Sequence, residues 1–193
     1  MFDGIFTPEF LQAACAQAQL QNIIRLHVSG QLEEMSLHLD MSYNGSVMVT
    51  YVRNGETITK VVDENPFFIY EPDANTYVTI KGDVSRLSIS PPPNYVIDAI
   101  YAEGSKSLMS LTTNSGVKTL QIGKYLTYLT VNGTSINAIT YPANNSAVST
   151  AIANAITNAS TNNGTVYTKS TGTYYNTIAD AATAKGWTIE ELN

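Results

Sequence analysis

The chain has very few of the residues from which most catalytic and metal sites are built. It contains one cysteine, Cys15, and two histidines, His27 and His38, in 193 residues. A single cysteine excludes an internal disulfide and any metal site that needs several thiolates. The sequence also contains no Walker loop, no dinucleotide-binding fingerprint and no nucleophile elbow. We therefore predict a protein that is not an enzyme, with no catalytic residues, no cofactor and no metal.

Charge is scarce as well, and basic charge most of all. Charged residues make up 13% of the chain, and 16 acidic against 10 basic residues give a formal net charge of -6. Because a phosphate backbone is bound by clustered lysines and arginines, this balance argues against a nucleic-acid partner. No run reaches the roughly 18 apolar residues that a membrane-spanning helix needs, so we predict no membrane span.

The first six residues, Met1 to Phe6, have neither the basic region nor the apolar region of a secretory signal. A protein that starts in this way is expected to stay in the cytoplasm where it is made, or to leave it by lysis or inside an assembly. A longer true start that carries a signal would instead place it at a bacterial cell surface.

What the chain does have is 44% hydrophobic residues and many Asn, Thr, Ser and Tyr, a composition that favours strands and turns. Residues 7–24 are the exception. Thr7 is a suitable N-cap and Pro8 suits the first position of a helix. This helix is either packed on its own chain or an arm that docks on another, and Phe10 and Leu11 are its candidate contact residues.

Residues 25–82 alternate apolar and polar side chains and predict an antiparallel β meander. The best local signal is Asn54-Gly55, because Asn-Gly between two alternating segments is typical of a tight hairpin turn. The returning strand is expected over residues 57–62.

From Val84 onward the sequence repeats an apolar triplet with the spacing apolar-x-x-apolar-x-apolar or small. Turn residues such as Asn132-Gly133 separate the copies, which start 9 to 13 residues apart. Stacked copies would bury a continuous apolar ladder, so the repeat predicts a short β-solenoid. An antiparallel sandwich with a strand about every ten residues is the alternative that this spacing also allows. The six copies are Val84, Leu87, Ile89; Ile97, Ile100, Ala102; Leu108, Leu111, Thr113; Val117, Leu120, Ile122; Leu126, Leu129, Val131; and Ile136, Ile139, Tyr141.

The segments Leu108-Met-Ser-Leu111-Thr-Thr-Asn-Ser-Gly and Leu126-Thr-Tyr-Leu129-Thr-Val-Asn-Gly-Thr resemble the bacterial surface-type leucine-rich repeats of Bacteroidetes. The resemblance implies about three coils with two half-repeats each. The chain departs from that family in three respects: it has no cysteine at the third apolar position, only part of an asparagine ladder, and irregular first spacings.

The last segment extends the resemblance. It reads as a helix over residues 146–159, a strand over 164–168, a helix over about 174–185 that ends at Gly186, and a closing strand at 187–189. This unit is similar to the terminal unit of such repeat proteins, which also occurs in structural proteins of Bacteroidetes phages. The resemblance covers about residues 83–193 and implies that this segment caps the stack.

Together these features predict an α+β, mainly β fold with four segments. They are an N-terminal helical arm (1–24), an antiparallel β meander (25–82), a short leucine-rich-repeat-like β-solenoid (83–145) and a helical α/β cap (146–193).

Exposed tyrosines among Thr and Asn are the best recognition feature of the sequence. Tyr101, Tyr125 and Tyr128 join Phe10 and Leu11 as the candidate interaction surface, although tyrosines can also merely cover strand faces. The function expected is a non-catalytic structural or protein–protein interaction protein. The resemblance favours a phage virion component, an attachment or decoration protein of capsid or tail that is part of an oligomer or larger assembly. The alternative is a ligand-binding or adhesion module of a bacterial surface protein.

Overall fold

Fourteen strands and two helices make up the part of the chain that the structure describes. The structure is a computed structural model, and it describes residues 22–30, 34–41, 46–62, 65–90 and 97–192. The first strands are β1 (Ile23–Val28), β2 (Glu34–Met41), β3 (Met48–Arg53), β4 (Glu56–Val61), β5 (Phe67–Tyr70), β6 (Thr76–Lys81) and β7 (Val84–Ser90). There follow β8 (Ile97–Ala102), β9 (Ser110–Thr112), β10 (Thr119–Ile122), β11 (Tyr128–Thr130), β12 (Ala138–Thr140), α1 (Ser146–Asn158), β13 (Thr165–Thr168), α2 (Tyr175–Lys185) and β14 (Thr188–Glu191).

The strands form two mixed sheets. One has nine strands in the order β14-β13-β12-β10-β8-β1-β6-β3-β4, and the other has five in the order β11-β9-β7-β2-β5. Strands β1 to β7 pair with one another in antiparallel fashion, whereas β8 to β14 run parallel to their neighbours among the later strands. In the nine-stranded sheet β1 joins the two parts, because it pairs antiparallel with both β6 and β8.

The core lies between polar outer faces, as alternation along the strands requires. In β1 the buried residues are Ile24, Leu26 and Val28, and the residues between them face outward. Strands of both sheets contribute to one cluster of buried apolar side chains, which continues through the inner faces of α1 and α2. A single core therefore joins the antiparallel and the parallel strands.

The middle residues of the apolar triplets lie side by side in this core. In the five-stranded sheet Leu87, Leu111 and Leu129 are in register. In the nine-stranded sheet the aligned triplet residues are Ile100, Leu120 and Ile139, and Val166 of β13 and Ile189 of β14 continue the row. Each triplet thus marks a strand, and every triplet residue except Val131 is buried.

The predicted separate β-solenoid, however, is wrong, as is the α+β class built on it. The triplet strands do not form a stack of their own beside a meander. They extend two mixed sheets that the antiparallel strands begin: β8 pairs with β1, and β7 pairs with β2. The physical reason is that each repeat strand has an unpaired edge, which an antiparallel neighbour satisfies as well as another repeat does. Whether the four predicted segments are separable domains stays a prediction.

Without a separate solenoid, the last segment has no stack to cap, although its predicted helices and strands are present. Asn145 caps the N-terminus of α1, and its side chain accepts a hydrogen bond from Val148 N at 3.1 Å. Gly186 follows the last residue of α2 and takes a left-handed conformation with φ of 77°. The segment adds β13 and β14 in parallel to the nine-stranded sheet, which ends at β14.

The predicted N-terminal helix is not borne out. Its residues 7–21, with the candidate contacts Phe10 and Leu11, lie outside the described residues. Ile23 and Ile24 were expected to complete the helix, but they belong to β1, where a β-branched pair suits the pleated strand. The predicted hairpin is confirmed: β3 and β4 flank Asn54 and Gly55, which have φ of 53° and 78°.

Candidate binding groove

A groove opens where the parallel strands of the nine-stranded sheet end. The carboxyl ends of parallel strands lie at one edge of a sheet, so the turns that follow them are neighbours. Here the turns after β8, β10, β12 and β13, with the residue after β14, surround a volume of about 960 Å³. The groove is lined by Glu103, Gly104, Lys106, Ile122, Gly123, Lys124, Tyr125, Thr140, Pro142, Asn144, Lys169, Thr171, Gly172, Thr173 and Leu192.

Glycine lets these turns stack closely. A Cβ atom at Gly123 would lie 2.5 Å from the carbonyl oxygen of Glu103, one turn earlier in the same sheet. At Gly172 a Cβ atom would lie 2.6 Å from the carbonyl oxygen of Pro142. Real Cβ atoms do not approach backbone oxygens so closely, because the two would overlap. The groove surface is therefore formed partly by the bare backbone of adjacent turns.

Three lysines give the groove a positive charge. Lys106, Lys124 and Lys169 are exposed and come from three different turns. They are three of the 10 basic residues of a chain whose net charge is -6. Glu103 is the single carboxylate among the described lining residues. The groove thus has a local charge opposite to that of the whole chain.

Tyr125 carries the exposed aromatic ring of the groove. Its side chain is 42% exposed, and the Lys124 ammonium lies 5.2 Å from the centre of the ring. Such a cation–π contact is favourable and restricts the lysine. The turn itself is held by Asn144, whose side-chain amide donates a hydrogen bond to the Lys124 carbonyl oxygen at 2.7 Å. The hydrogen bond therefore links the turn that carries Lys124 and Tyr125 to the turn after β12.

A smaller pocket of about 320 Å³ adjoins the groove, and Glu103 and Gly104 line both. Its wall carries Tyr101 and Arg25, which are directly paired across β8 and β1. The Arg25 guanidinium lies 5.5 Å from the centre of the Tyr101 ring and 5.6 Å from that of Tyr77. Burial raises the pKa of the Tyr101 phenol, and the neighbouring Tyr77 raises it further.

One histidine and one carboxylate lie beyond these tyrosines. The His27 ring nitrogen Nδ1 is 2.6 Å from Asp98 Oδ1, and both side chains are partly buried. The Tyr77 ring packs against the imidazole with 5.0 Å between ring centres. A carboxylate bonded to one ring nitrogen fixes the orientation of a histidine. The pair therefore extends the ordered Tyr101, Arg25 and Tyr77 cluster rather than standing in the groove.

Of the three tyrosines predicted as contact residues, the structure places two at the groove or beside it and the third elsewhere. Tyr125 lines the groove and Tyr101 lines the adjoining pocket. Tyr128 is exposed, as predicted, but it lies on the outer face of the five-stranded sheet in β11. Sequence reasoning missed the three groove lysines and Asp98. The lysines could have been predicted if the strands had been recognised as parallel, because Lys106, Lys124 and Lys169 follow the ends of β8, β10 and β13 in one sheet.

Among residues 22–30, 34–41, 46–62, 65–90 and 97–192, no three side chains of His, Cys, Asp or Glu are grouped so that they could hold a metal ion. Within those same ranges neither helix is long and apolar enough to cross a membrane.

No known protein family, curated protein or solved structure matches this chain. The resemblance to leucine-rich repeats therefore stays a prediction from the quoted segments.

Proposed function

We propose that this chain is a non-catalytic interaction protein that holds a partner protein at the groove. The observation that carries the proposal is the groove itself, an open surface with three lysines and an exposed tyrosine at one end of the parallel strands. Tyrosine supplies a large contact area with few rotatable bonds, and such residues dominate the energetics of protein interfaces.

The chemistry of the lining supports binding rather than catalysis. The described lining residues offer one carboxylate, Glu103, and neither an imidazole nor a thiol. General acid–base catalysis near neutral pH most often uses a histidine or a carboxylate within hydrogen-bond reach of the substrate. The His27 and Asp98 pair lies outside both linings and has Tyr77 packed against it.

We further propose that the partner is a virion protein of a phage. This part rests on the resemblance of the last segment, residues 146–193, to the terminal unit found in structural proteins of Bacteroidetes phages. A short, mainly β protein with a binding groove suits an attachment or decoration role, in which it joins neighbouring proteins of a capsid or tail.

Quantitative mass spectrometry of purified virions tests this function. We expect the chain in the particles at a fixed ratio to the major capsid or tail protein, because an assembly has defined stoichiometry. Recovery of the chain only from the host envelope, or only as trace contamination of the particles, would overturn the virion role.

A further inference from the structure

We infer that the groove binds an extended acidic peptide segment of its partner, one in which carboxylates alternate with apolar side chains. The inference rests on the proposed function and names the chemistry of the partner. It follows from three properties of the groove: its charge, its apolar surface and its length.

The charge of the groove determines the charge of the ligand that fits it. The chain repels acidic molecules at long range because its net charge is -6. Within the groove the balance is reversed, since Lys106, Lys124 and Lys169 face one carboxylate, Glu103. Positive charges on three different turns attract negative charge along the whole groove, so the ligand that fits carries several carboxylates. Pairs of lysine and carboxylate add both affinity and orientation.

The apolar surface distinguishes a peptide from a simple polyanion. Pro142, Leu192 and Tyr125 supply the exposed apolar surface of the groove. Pro142 and Leu192 are half-buried, so part of each meets solvent, whereas Ile122 also lines the groove but is buried in the core. A nucleic-acid backbone or a uronic-acid polymer would leave these side chains without an apolar partner. A peptide with Leu or Phe between its carboxylates covers them, and burial of apolar surface favours that complex.

The aromatic content argues against a glycan. Sugar rings bind by stacking on exposed aromatic faces, and among the lining residues only Tyr125 presents one. The ammonium of Lys124 already lies over that face, 5.2 Å from its centre. Tyr101, the tyrosine of the smaller pocket, has Arg25 over its ring, as does Tyr77 beside it. Aromatic faces that already hold cations attract carboxylates rather than sugars.

The length of the groove sets the length of the segment. Five adjacent strands, from β8 to β14, end along it. At about 4.8 Å between strands the row of turns spans about 19 Å. An extended chain covers that distance with about six residues. The segment therefore has room for about three carboxylates and three apolar side chains, which matches the three lysines and the apolar surface.

Fluorescence anisotropy with synthetic peptides tests the inference on the full chain. The probe is a labelled peptide of about eight residues in which glutamate alternates with leucine or phenylalanine, long enough to cross the groove. Its neutral counterpart has glutamine in place of each glutamate. Labelled polygalacturonate serves as the acidic glycan. We expect the acidic peptide to bind at least about tenfold more tightly than either.

Charge-matched variants locate the site. The groove variant carries Lys106→Gln, Lys124→Gln and Lys169→Gln. The control carries Lys60→Gln, Lys81→Gln and Lys118→Gln, three exposed lysines outside both pocket linings. Both variants lose the same charge, so only the location differs. We expect the groove variant to bind the acidic peptide about tenfold or more weakly, and the control to change it less than about twofold. Circular dichroism establishes that each variant is folded.

Each other outcome overturns the inference. Equal binding of the neutral peptide would show that charge does not select the ligand. Tighter binding of polygalacturonate would assign a glycan instead. Equal weakening by the two variants would mean that binding follows net charge and not the groove, and no binding of the acidic peptide at millimolar concentration would also refute it. None of these results tests the virion role, which the mass spectrometry of purified particles tests separately.

Discussion

At the scale of single residues, aromatic rings and cations are paired at two places. On the outer face of the nine-stranded sheet Arg25 lies over Tyr77 and Tyr101, because neighbouring strands bring side chains of one face into contact. In the turn after β10, Lys124 lies over Tyr125. These aromatic and charged residues are thereby held in place before any partner arrives, which lowers the entropic cost of binding.

Tyr101 also gives the fold a dependence on alkaline pH. Burial and Tyr77 raise the pKa of its phenol in the folded chain. The unfolded chain then loses this proton first, so stability falls as pH rises from about 10 through the raised pKa. Denaturant unfolding should show a smaller loss of stability between about pH 9 and pH 11.5 for Tyr101→Phe than for the natural chain.

Between pH 7 and about pH 9 the stabilities of the two proteins should differ by a constant amount, because the phenol is protonated in both states there. The same alkaline decline in both proteins would show that Tyr101 does not contribute to it.

At the scale of elements, the parallel ladder holds the groove turns in place. Leu120 is fully buried in β10 between Ile100 of β8 and Ile139 of β12. Gln121, the next residue, is half-buried on the other face of the same strand, beside Tyr101. The inner residue therefore fixes the spacing of the strands whose ends carry Lys124 and its neighbours.

Truncation of Leu120 should be costly and truncation of Gln121 should not. We expect Leu120→Ala to lower the free energy of unfolding by about 2–5 kcal/mol, since it leaves a cavity in a packed core. Gln121→Ala should change it by about 0.5 kcal/mol or less, as a substitution on an outer face does. Urea titration measures both, and similar values for the two variants would contradict the ladder arrangement.

The elements also show what sequence can and cannot predict for this chain. The apolar triplets, the Asn54-Gly55 turn and both helices depend on residues within a few positions of one another, and local patterns predict them correctly. Sheet membership is different. Strand β1 joins β6 and β8, and which edge a strand accepts depends on the whole set of available partners. Because local patterns do not specify that choice, the solenoid prediction was wrong and the groove with its lysines was not foreseen.

At the scale of the whole molecule, the described strands form two sheets around one core, and the groove brings three lysines together on a chain whose net charge is -6. Adjacent turns of the groove stack closely at Gly123 and Gly172. Acidic charge elsewhere on the chain disfavours contact with acidic partners except at the groove. Such a distribution favours an acidic partner at the groove, which agrees with the proposed attachment or decoration role.

Zero-length carbodiimide cross-linking of purified virions tests this account most directly, because it joins a lysine only to a carboxylate in contact with it. We predict cross-links from Lys106, Lys124 and Lys169 to aspartates or glutamates of one neighbouring virion protein. Lys60, Lys81 and Lys118 should give few or none. Particles in which this chain is present but its groove lysines form no cross-links, while the other three do, would contradict the account.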